Sequence, residues 1–120
     1  MANIFLDSNF FFDITERDVN KREMLNDNRV FVSALSYNIL FYTYKHKVPQ
    51  KIIIKHKKEL NIVSLTDKIL DLALEGPVDD LEDNIQLHSA SEAECDVFLT
   101  NDKKLLKMKF FGKMRIVSII

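Results

Sequence analysis

Short apolar runs alternate along the chain with longer stretches in which apolar residues recur at helical spacing. The runs predict strands at Asn3–Leu6, Val30–Ser33, Ile62–Leu65, Asp96–Thr100 and Arg115–Ile119. The stretches between them predict helices near 19–27, 35–47, 50–58, 66–75, 79–94 and 102–107. Strands that alternate with helices form βαβ units with parallel strands. Because a run such as Val97-Phe98-Leu99 fits burial on both faces, the pattern predicts an α/β fold: a three-layer α/β/α sandwich with a mostly parallel, roughly five-stranded sheet.

The composition indicates one globular domain. The chain has 120 residues, 47% of them hydrophobic, with 2 glycines and 2 prolines. This length can bury a substantial core, so we expect a single domain over residues 1–120. No apolar run approaches the roughly 20 residues of a membrane span, no signal peptide is visible, and Cys95 is the only cysteine. These features predict a cytoplasmic protein with no membrane partner.

Carboxylates stand where two predicted strands end. The run Ile4-Phe5-Leu6-Asp7 ends in one, and Val97-Phe98-Leu99-Thr100-Asn101-Asp102 ends in another. Between them, Asp80-Leu81-Glu82-Asp83 begins a predicted helix. Ligands of open α/β sheets bind outside the carboxyl ends of the strands, so we expect these acids to meet there. Since like charges held together need a cation, and oxygen ligands favour Mg²⁺ or Mn²⁺, the pattern favours a metal-dependent hydrolase.

The same acids can be explained as helix caps. Aspartate is a preferred N-cap residue, and this role suits both Asp7 and Asp102. Asp79 with Glu82 three residues later has the character of a capping box, which predicts a helix start near Asp80. Acids in a first helical turn gain roughly 0.3–1 kcal/mol each from the helix dipole. Each acid alone is therefore a weak signal, and their shared position at strand ends is what favours a site.

Basic and acidic residues are segregated along the chain, although the net charge is only −1. Six lysines and no acid lie in 45–58, and five lysines, one arginine and no acid lie in 103–115. Residues 66–94 contain nine acids and a single lysine. Such segregation suits a polyanion that lies beside an acidic centre, and solvated helix faces explain it equally well.

Other α/β phosphate chemistries fit the spacing poorly. A haloacid-dehalogenase-like phosphatase requires Asp-x-Asp after the first strand. This chain has Asp7-Ser8-Asn9 there, so Asn9 stands in place of the second aspartate. A response-regulator receiver requires a lone Asp after the third strand, where this chain has Leu65-Thr66-Asp67. The chain has no glycine-rich phosphate loop, and its three histidines lack the spacing of metal ligands.

Together these residues resemble a PIN domain, over nearly the whole chain. The matching blocks are Ile4-Phe5-Leu6-Asp7-Ser8-Asn9, Val32-Ser33-Ala34-Leu35-Ser36, Asp80-Leu81-Glu82-Asp83-Asn84-Ile85-Gln86 and Asp96-Val97-Phe98-Leu99-Thr100-Asn101-Asp102-Lys103-Lys104-Leu105. PIN domains are small α/β/α nucleases, and many bacterial members are the toxins of VapBC-type toxin–antitoxin pairs. The resemblance implies that Asp7, Asp83 and Asp102 form the acidic metal site, with RNA as substrate and Mg²⁺ or Mn²⁺ as cofactor.

One departure from the family pattern concerns its second acid, usually a Glu six residues after the serine of the second block. Counted from Ser33, this position is Ile39, with Asn38 and Leu40 beside it. A shift of one residue in the helix would bring Asn38 inward, and its amide oxygen would add a ligand without a charge. Loss of one of four carboxylates weakens cation binding.

The sequence therefore leaves three hypotheses. The first is a metal-dependent endoribonuclease in which Asn9, Asn38 and Asn101 support the acids and RNA is bound by Lys45, Lys47, Lys55, Lys103 and Lys104. The second is a catalytically weak or inactive PIN-like module that binds RNA or a protein. The third, compatible with both, is a toxin whose antitoxin occupies an apolar groove. The runs Phe10-Phe11-Phe12 and Phe41-Tyr42-Thr43-Tyr44 would supply that groove or a homodimer face, unless they pack in the core.

Overall fold

The computed structural model, which describes residues 1–120, contains a single six-stranded sheet. Its strands are β1 (Asn3–Leu6), β2 (Arg29–Ser33), β3 (Asn61–Val63), β4 (Val97–Leu99), β5 (Phe110–Phe111) and β6 (Met114–Val117). They lie in the order β3-β2-β1-β4-β6-β5, and only β5 is antiparallel to its neighbour. The predicted α/β fold with a mostly parallel sheet is confirmed, with six strands rather than about five.

Six α-helices connect the strands. They are α1 (Ser8–Phe12), α2 (Ala34–Thr43), α3 (Lys51–Lys57), α4 (Asp67–Glu75), α5 (Leu81–Glu92) and α6 (Lys103–Met108). A π-helical turn (Asp13–Arg17) and a 3-10 helix (Val19–Leu25) lead from α1 to β2. No helix combines the length and the hydropathy that crossing a membrane requires.

Alternate residues of β1 point into two cores, which gives the molecule its three layers. Ile4 and Leu6 belong to one cluster, which includes Phe10 of α1 and Leu40 of α2. Phe5 belongs to the other and stacks on Phe98 of β4, with ring centroids 5.6 Å apart. Full burial of such a side chain stabilises the fold by roughly 1.5–3 kcal/mol, so β1 is anchored from both faces and Asp7, which follows it, is held firmly.

The structure differs from the predicted elements mainly in short segments. β5 has only two residues, too few to show alternation, and it pairs with β6 through a turn at Gly112, where φ is +61°. Glycine adopts this left-handed conformation without a steric penalty. α1 was also not predicted, because Asp7-Ser8-Asn9 resembles a turn and the apolar run after it lacks helical spacing. The strand predicted to end at Leu65 ends at Val63, and the helix predicted to end at residue 47 ends at Thr43.

Candidate metal centre

The ends of the two central strands bring the predicted acids to one edge of the sheet. β1 and β4 are parallel neighbours, and Leu6 pairs with Leu99 in their register. Asp7 therefore follows β1 directly beside Thr100, which follows β4. Two residues after Thr100 comes Asp102, and the helix α6 begins at the next residue, Lys103. The topology thus places Asp7 and Asp102 at the same carboxyl-end edge.

Asp7 is both the N-cap of α1 and a carboxylate at the carboxyl-end edge of the sheet. Its side chain is only 6% exposed. Oδ1 accepts a hydrogen bond of 2.7 Å from the backbone N–H of Phe10, so Asp7 is the N-cap of α1. Oδ2 accepts a hydrogen bond from the Thr100 hydroxyl. Both carboxylate oxygens are consequently oriented by the protein.

Asp102 is held in a similar way but keeps one oxygen free. It is the N-cap of α6, and its Oδ1 accepts hydrogen bonds from the backbone N–H groups of Lys104 (2.8 Å) and Leu105 (3.2 Å). Its own backbone N–H donates to Oγ1 of Thr100 at 3.0 Å. No protein group donates to Oδ2 of Asp102, which leaves that oxygen available for a ligand.

The first turn of α5 contributes two more carboxylates, Glu82 and Asp83, both half-buried. The helix is capped by Asp80, whose Oδ1 accepts from the backbone N–H of Asp83 at 3.0 Å. Asp83 lines a depression of about 520 Å³ that reaches Asp102. Its other lining residues are Val78, Asp79, Asp80, Lys103, Lys104 and Leu105.

Asn84 braces the segment that leads into this turn. It is 3% exposed, and its Nδ2 donates to the carbonyl oxygens of Ala73 (2.9 Å) and Val78 (2.8 Å). Its Oδ1 accepts from the backbone N–H of Val78 at 2.9 Å. These three bonds join the end of α4 and the loop 76–80 to α5, so the acids on its first turn stand on a rigid support.

The acids perturb one another. Burial raises the pKa of Asp7 to about 6, against the opposing effect of its hydrogen bonds from Thr100 and Phe10, and the charges of Asp102 and Glu82 raise it further. Burial likewise raises the pKa of Asp83 to about 6, with the charges of Asp80, Asp102, Glu82 and Asp7 adding to the effect. The negative charges of the neighbouring acids thus add to the effect of burial on both pKa values.

No lysine, arginine or histidine forms a salt bridge with any of these five carboxylates; the salt bridges of the protein involve Asp13, Glu16 and Glu92 instead. No three of the acidic side chains converge tightly enough to form a complete ligand set on their own. The set fits a divalent cation chemically, because its donors are carboxylate oxygens, one of them free on Asp102, and no salt bridge neutralises their mutual repulsion.

The family model for the PIN domain matches residues 4–111. The chain belongs to the PIN domain family. A solved structure with the same fold is that of VapBC2 from Rickettsia felis bound to a DNA fragment from their promoter. The chain is 15% identical to it, with a TM-score of 0.65, and the match covers 95% of this chain and 96% of that one. No curated protein matches the sequence significantly.

The supporting polar residues predicted around this PIN site are more dispersed than its acids. Asn9 and Asn101 are exposed, and neither side chain forms a hydrogen bond with the protein, although the Asn9 carbonyl accepts one from Arg17 at 2.8 Å. Lys103 and Lys104 line the depression beside Asp83 and Asp102. The other lysines predicted to bind RNA are exposed and belong to the region of α2 and α3, namely Lys45, Lys47 and Lys55.

The helix α2 supplies no acid to the site. Asn38 is exposed and lines an apolar groove with Tyr37 and Phe41 instead of facing Asp7. Ile39, which occupies the position of the usual PIN glutamate, packs against the core cluster that contains Leu40. The inward shift of Asn38 considered from the sequence does not occur, because the core holds the helix in the register set by Leu40.

Three neighbours of the acids were not predicted as site residues: Thr100, Gln86 and Glu82. Thr100 carries the hydrogen bond to Asp7 and was grouped with the strand. Gln86 is buried, and its Nε2 donates to Oγ of Ser8 at 3.0 Å. The spacing of four residues between Glu82 and Gln86 was the available signal, because it places both on one face of a helix.

Proposed function

We propose that this protein is a Mg²⁺- or Mn²⁺-dependent endoribonuclease of the PIN type and the toxin component of a toxin–antitoxin pair, acting in the cytoplasm. The observation that carries the proposal is the group of carboxylates, none of them in a salt bridge, at the carboxyl-end edge of β1 and β4. Asp7, Asp83 and Asp102 are its members predicted from the sequence. Membership of the PIN family supports the same reaction class.

In this proposal Asp7 and Asp102 would be the principal residues that hold the cation, and Asp83 would hold it directly or through water. The chemistry that such a cation would supply is Lewis-acid assistance to the hydrolysis of a phosphodiester. The hydrogen bonds from Phe10 and Thr100 orient the Asp7 carboxylate. The cap of α6 fixes Oδ1 of Asp102, and Oδ2 has no partner within the protein.

The substrate in this proposal is RNA, bound through its phosphates. Lys103 and Lys104 stand beside two of the acids, so a phosphate close to the cation would meet their ammonium groups. The exposed lysines Lys45, Lys47 and Lys55 would extend the contact along the strand. Such contacts are independent of sequence and weaken as the salt concentration rises.

The test is cleavage of structured RNAs by the wild type and by Asp7→Asn and Asp102→Asn, with Mn²⁺ present. Asparagine is also a good N-cap, so both variants should keep their helix caps while each loses a charged ligand. Asp27→Asn is the matched control, because Asp27 is exposed, lies before β2 at the opposite edge of the sheet and has a φ of +66°, which Asn tolerates. We expect cleavage to be lost in the two site variants alone; equal rates in all four proteins would refute the proposal.

A second candidate function is that of a catalytically weak or inactive PIN module that binds RNA or a protein partner. The observation that favours it is Ile39, which brings no carboxylate from α2. A fluorescence-anisotropy titration with a labelled RNA separates the two functions. Tight binding without cleavage at any Mn²⁺ concentration would favour the module, and cleavage that saturates with Mn²⁺ would favour the nuclease.

The antitoxin in this proposal occupies an apolar groove of about 710 Å³ between α2 and α3. Its apolar lining includes Phe41, Val48, Ile53 and Ile54. Two aromatic runs were predicted to line such a groove. The run 41–44 contributes Phe41, whereas Phe10, Phe11 and Phe12 are buried in the core. The structural neighbour is a structure of VapBC2 bound to a DNA fragment from their promoter, which supports a protein partner here.

Ile54→Asp tests this groove, since the side chain is 54% exposed and its replacement should not disturb the core. The control is Leu74→Asp on α4, where the side chain is 65% exposed. We expect the protein encoded beside this one to co-purify with the wild type and Leu74→Asp but not with Ile54→Asp. A homodimer that only Ile54→Asp dissociates would instead assign the groove to a second copy.

A further inference from the structure

Gln86 of α5 is bonded to residues of α1 and α2 close to Asp7. Its side chain is 1% exposed, and Nε2 donates to Oγ of Ser8 at 3.0 Å and to Oγ of Ser36 at 3.3 Å. The two hydroxyl oxygens are themselves 3.0 Å apart. Ser8 directly follows Asp7, and Ser36 lies on α2. One face of α5 is therefore tied to the α1 and α2 side of the acidic centre.

Glu82 lies on that same face. It precedes Gln86 by four residues, and residues four apart stand one above the other on a helix. The side chain of Glu82 is half-buried. Because Gln86 is bonded to Ser8, the residue after Asp7, Glu82 lies on the face of α5 that is tied to the Asp7 side of the acidic centre.

Asp83 is turned by about 100° from Glu82 around the helix axis. Four residues after it comes Leu87, which is fully buried in the cluster that contains Phe98 of β4 and Leu105 of α6. Asp83 consequently stands on the β4 and α6 side and lines the same depression as Asp102. The two neighbouring acids of α5 approach the centre from different directions.

The side that Glu82 approaches is the one on which α2 has no acid. Ser36 of α2 takes part in the hydrogen bonds below Glu82. One turn later, Ile39 and Leu40 both pack into the core. Asn38, two residues after Ser36, is turned about 200° away from it and lines the apolar groove.

We propose that Glu82 supplies the fourth carboxylate of the metal centre, in place of the acid that α2 lacks, and that Ser8 and Gln86 position it. This inference rests on the proposed function. Oε1 of Gln86 is buried and accepts no hydrogen bond from the protein.

The test is the affinity for Mn²⁺, measured by isothermal titration on the wild type, Glu82→Gln and Glu82→Asp. Glu92→Gln is the matched control, because it makes the same charge change on the same helix, ten residues and about 15 Å further along its axis. We expect Glu82→Gln to bind Mn²⁺ at least tenfold more weakly, Glu82→Asp to keep part of the affinity, and Glu92→Gln to bind like the wild type. Thermal unfolding without metal checks that each variant folds.

Equal affinities of the wild type and Glu82→Gln, both folded, would overturn the role of Glu82 and leave the proposed nuclease intact. A wild type that binds no Mn²⁺ would overturn both. Asn38→Glu provides an independent check, since its side chain faces the groove and should not raise the affinity of Glu82→Gln. Restoration of the affinity by Asn38→Glu would show that α2 serves the site after all and would contradict the inference.

Discussion

The hydroxyl of Thr100 donates a hydrogen bond to Oδ2 of Asp7 across 93 residues of sequence. The oxygen of the same hydroxyl accepts from the backbone N–H of Asp102 at 3.0 Å. One side chain without charge thus sets the positions of both acids that follow β1 and β4. The relationship exists because the two strands are parallel neighbours that end together.

Replacement of Thr100 tests this link. Thr100→Val keeps the shape but removes the donor, and we expect the pKa of Asp7 to rise above about 6, because the hydrogen bond from Thr100 lowers it. Loss of the partner of a buried carboxylate should also reduce the free energy of unfolding by roughly 1–3 kcal/mol. The Asp7 carboxyl can be followed by NMR during a pH titration. Thr100→Ser retains the hydroxyl and should titrate like the wild type; a raised pKa in the serine variant would contradict this explanation.

Asp7→Asn should stabilise the protein at neutral pH when no metal is added. Because burial raises the pKa of Asp7 from 3.8 to about 6, the folded protein retains a proton that the unfolded chain releases between these values. The free energy of unfolding therefore falls as the pH rises through this window, and the loss remains above it. Two pKa units correspond to roughly 2–3 kcal/mol.

Thermal unfolding from pH 4 to pH 8 measures this effect. The advantage of Asp7→Asn should be largest above pH 6 and should shrink toward pH 4, where Asp7 is protonated in the folded wild type. If Asp7→Asn is less stable than the wild type at pH 7.5, the ionised carboxylate of Asp7 does not destabilise the fold.

Asn84→Ala should be strongly destabilising, although the residue has no charge. The substitution breaks three hydrogen bonds and leaves the buried carbonyl of Ala73 and the part-buried backbone N–H and carbonyl of Val78 without these partners. We expect a loss of roughly 2–4 kcal/mol in urea denaturation. Asn61→Ala is the comparison, because Nδ2 of Asn61 donates a single part-buried hydrogen bond of 3.2 Å to the carbonyl of Val30. We expect this variant to lose under about 1 kcal/mol of unfolding free energy. Similar losses in both variants would show that Asn84 does not brace α5.

Cys95 should be unreactive in the folded protein. Burial raises the pKa of its thiol to about 12, and the charge of Asp96 adds to the rise, so the thiolate is scarce at pH 8. Alkylation by iodoacetamide at pH 8 should be slow in native buffer and rapid in guanidinium chloride. Equal rates in the two conditions would show that the thiol is accessible.

The sequence by itself determined the fold class and the positions of Asp7 and Asp102. Alternating strands and helices leave few topologies other than a parallel sheet, and the ends of central parallel strands meet at one edge. A residue that follows such a strand is therefore placed by topology alone. The N-cap roles of both acids are also local, since each depends on the few residues that follow it.

Tertiary structure decided which way the helical residues point. The local sequence does not show which of Glu82 and Asp83 faces which neighbour. Gln86, four residues after Glu82, and Leu87, four residues after Asp83, are buried on different sides of α5, so the two acids point in different directions. The burial of Leu40 likewise turns Asn38 into the groove and away from Asp7. β5 forms only because β6 is present to pair with it. A helix can be recognised from its sequence period, but its rotation is set by the partners against which it packs, and these lie elsewhere in the chain.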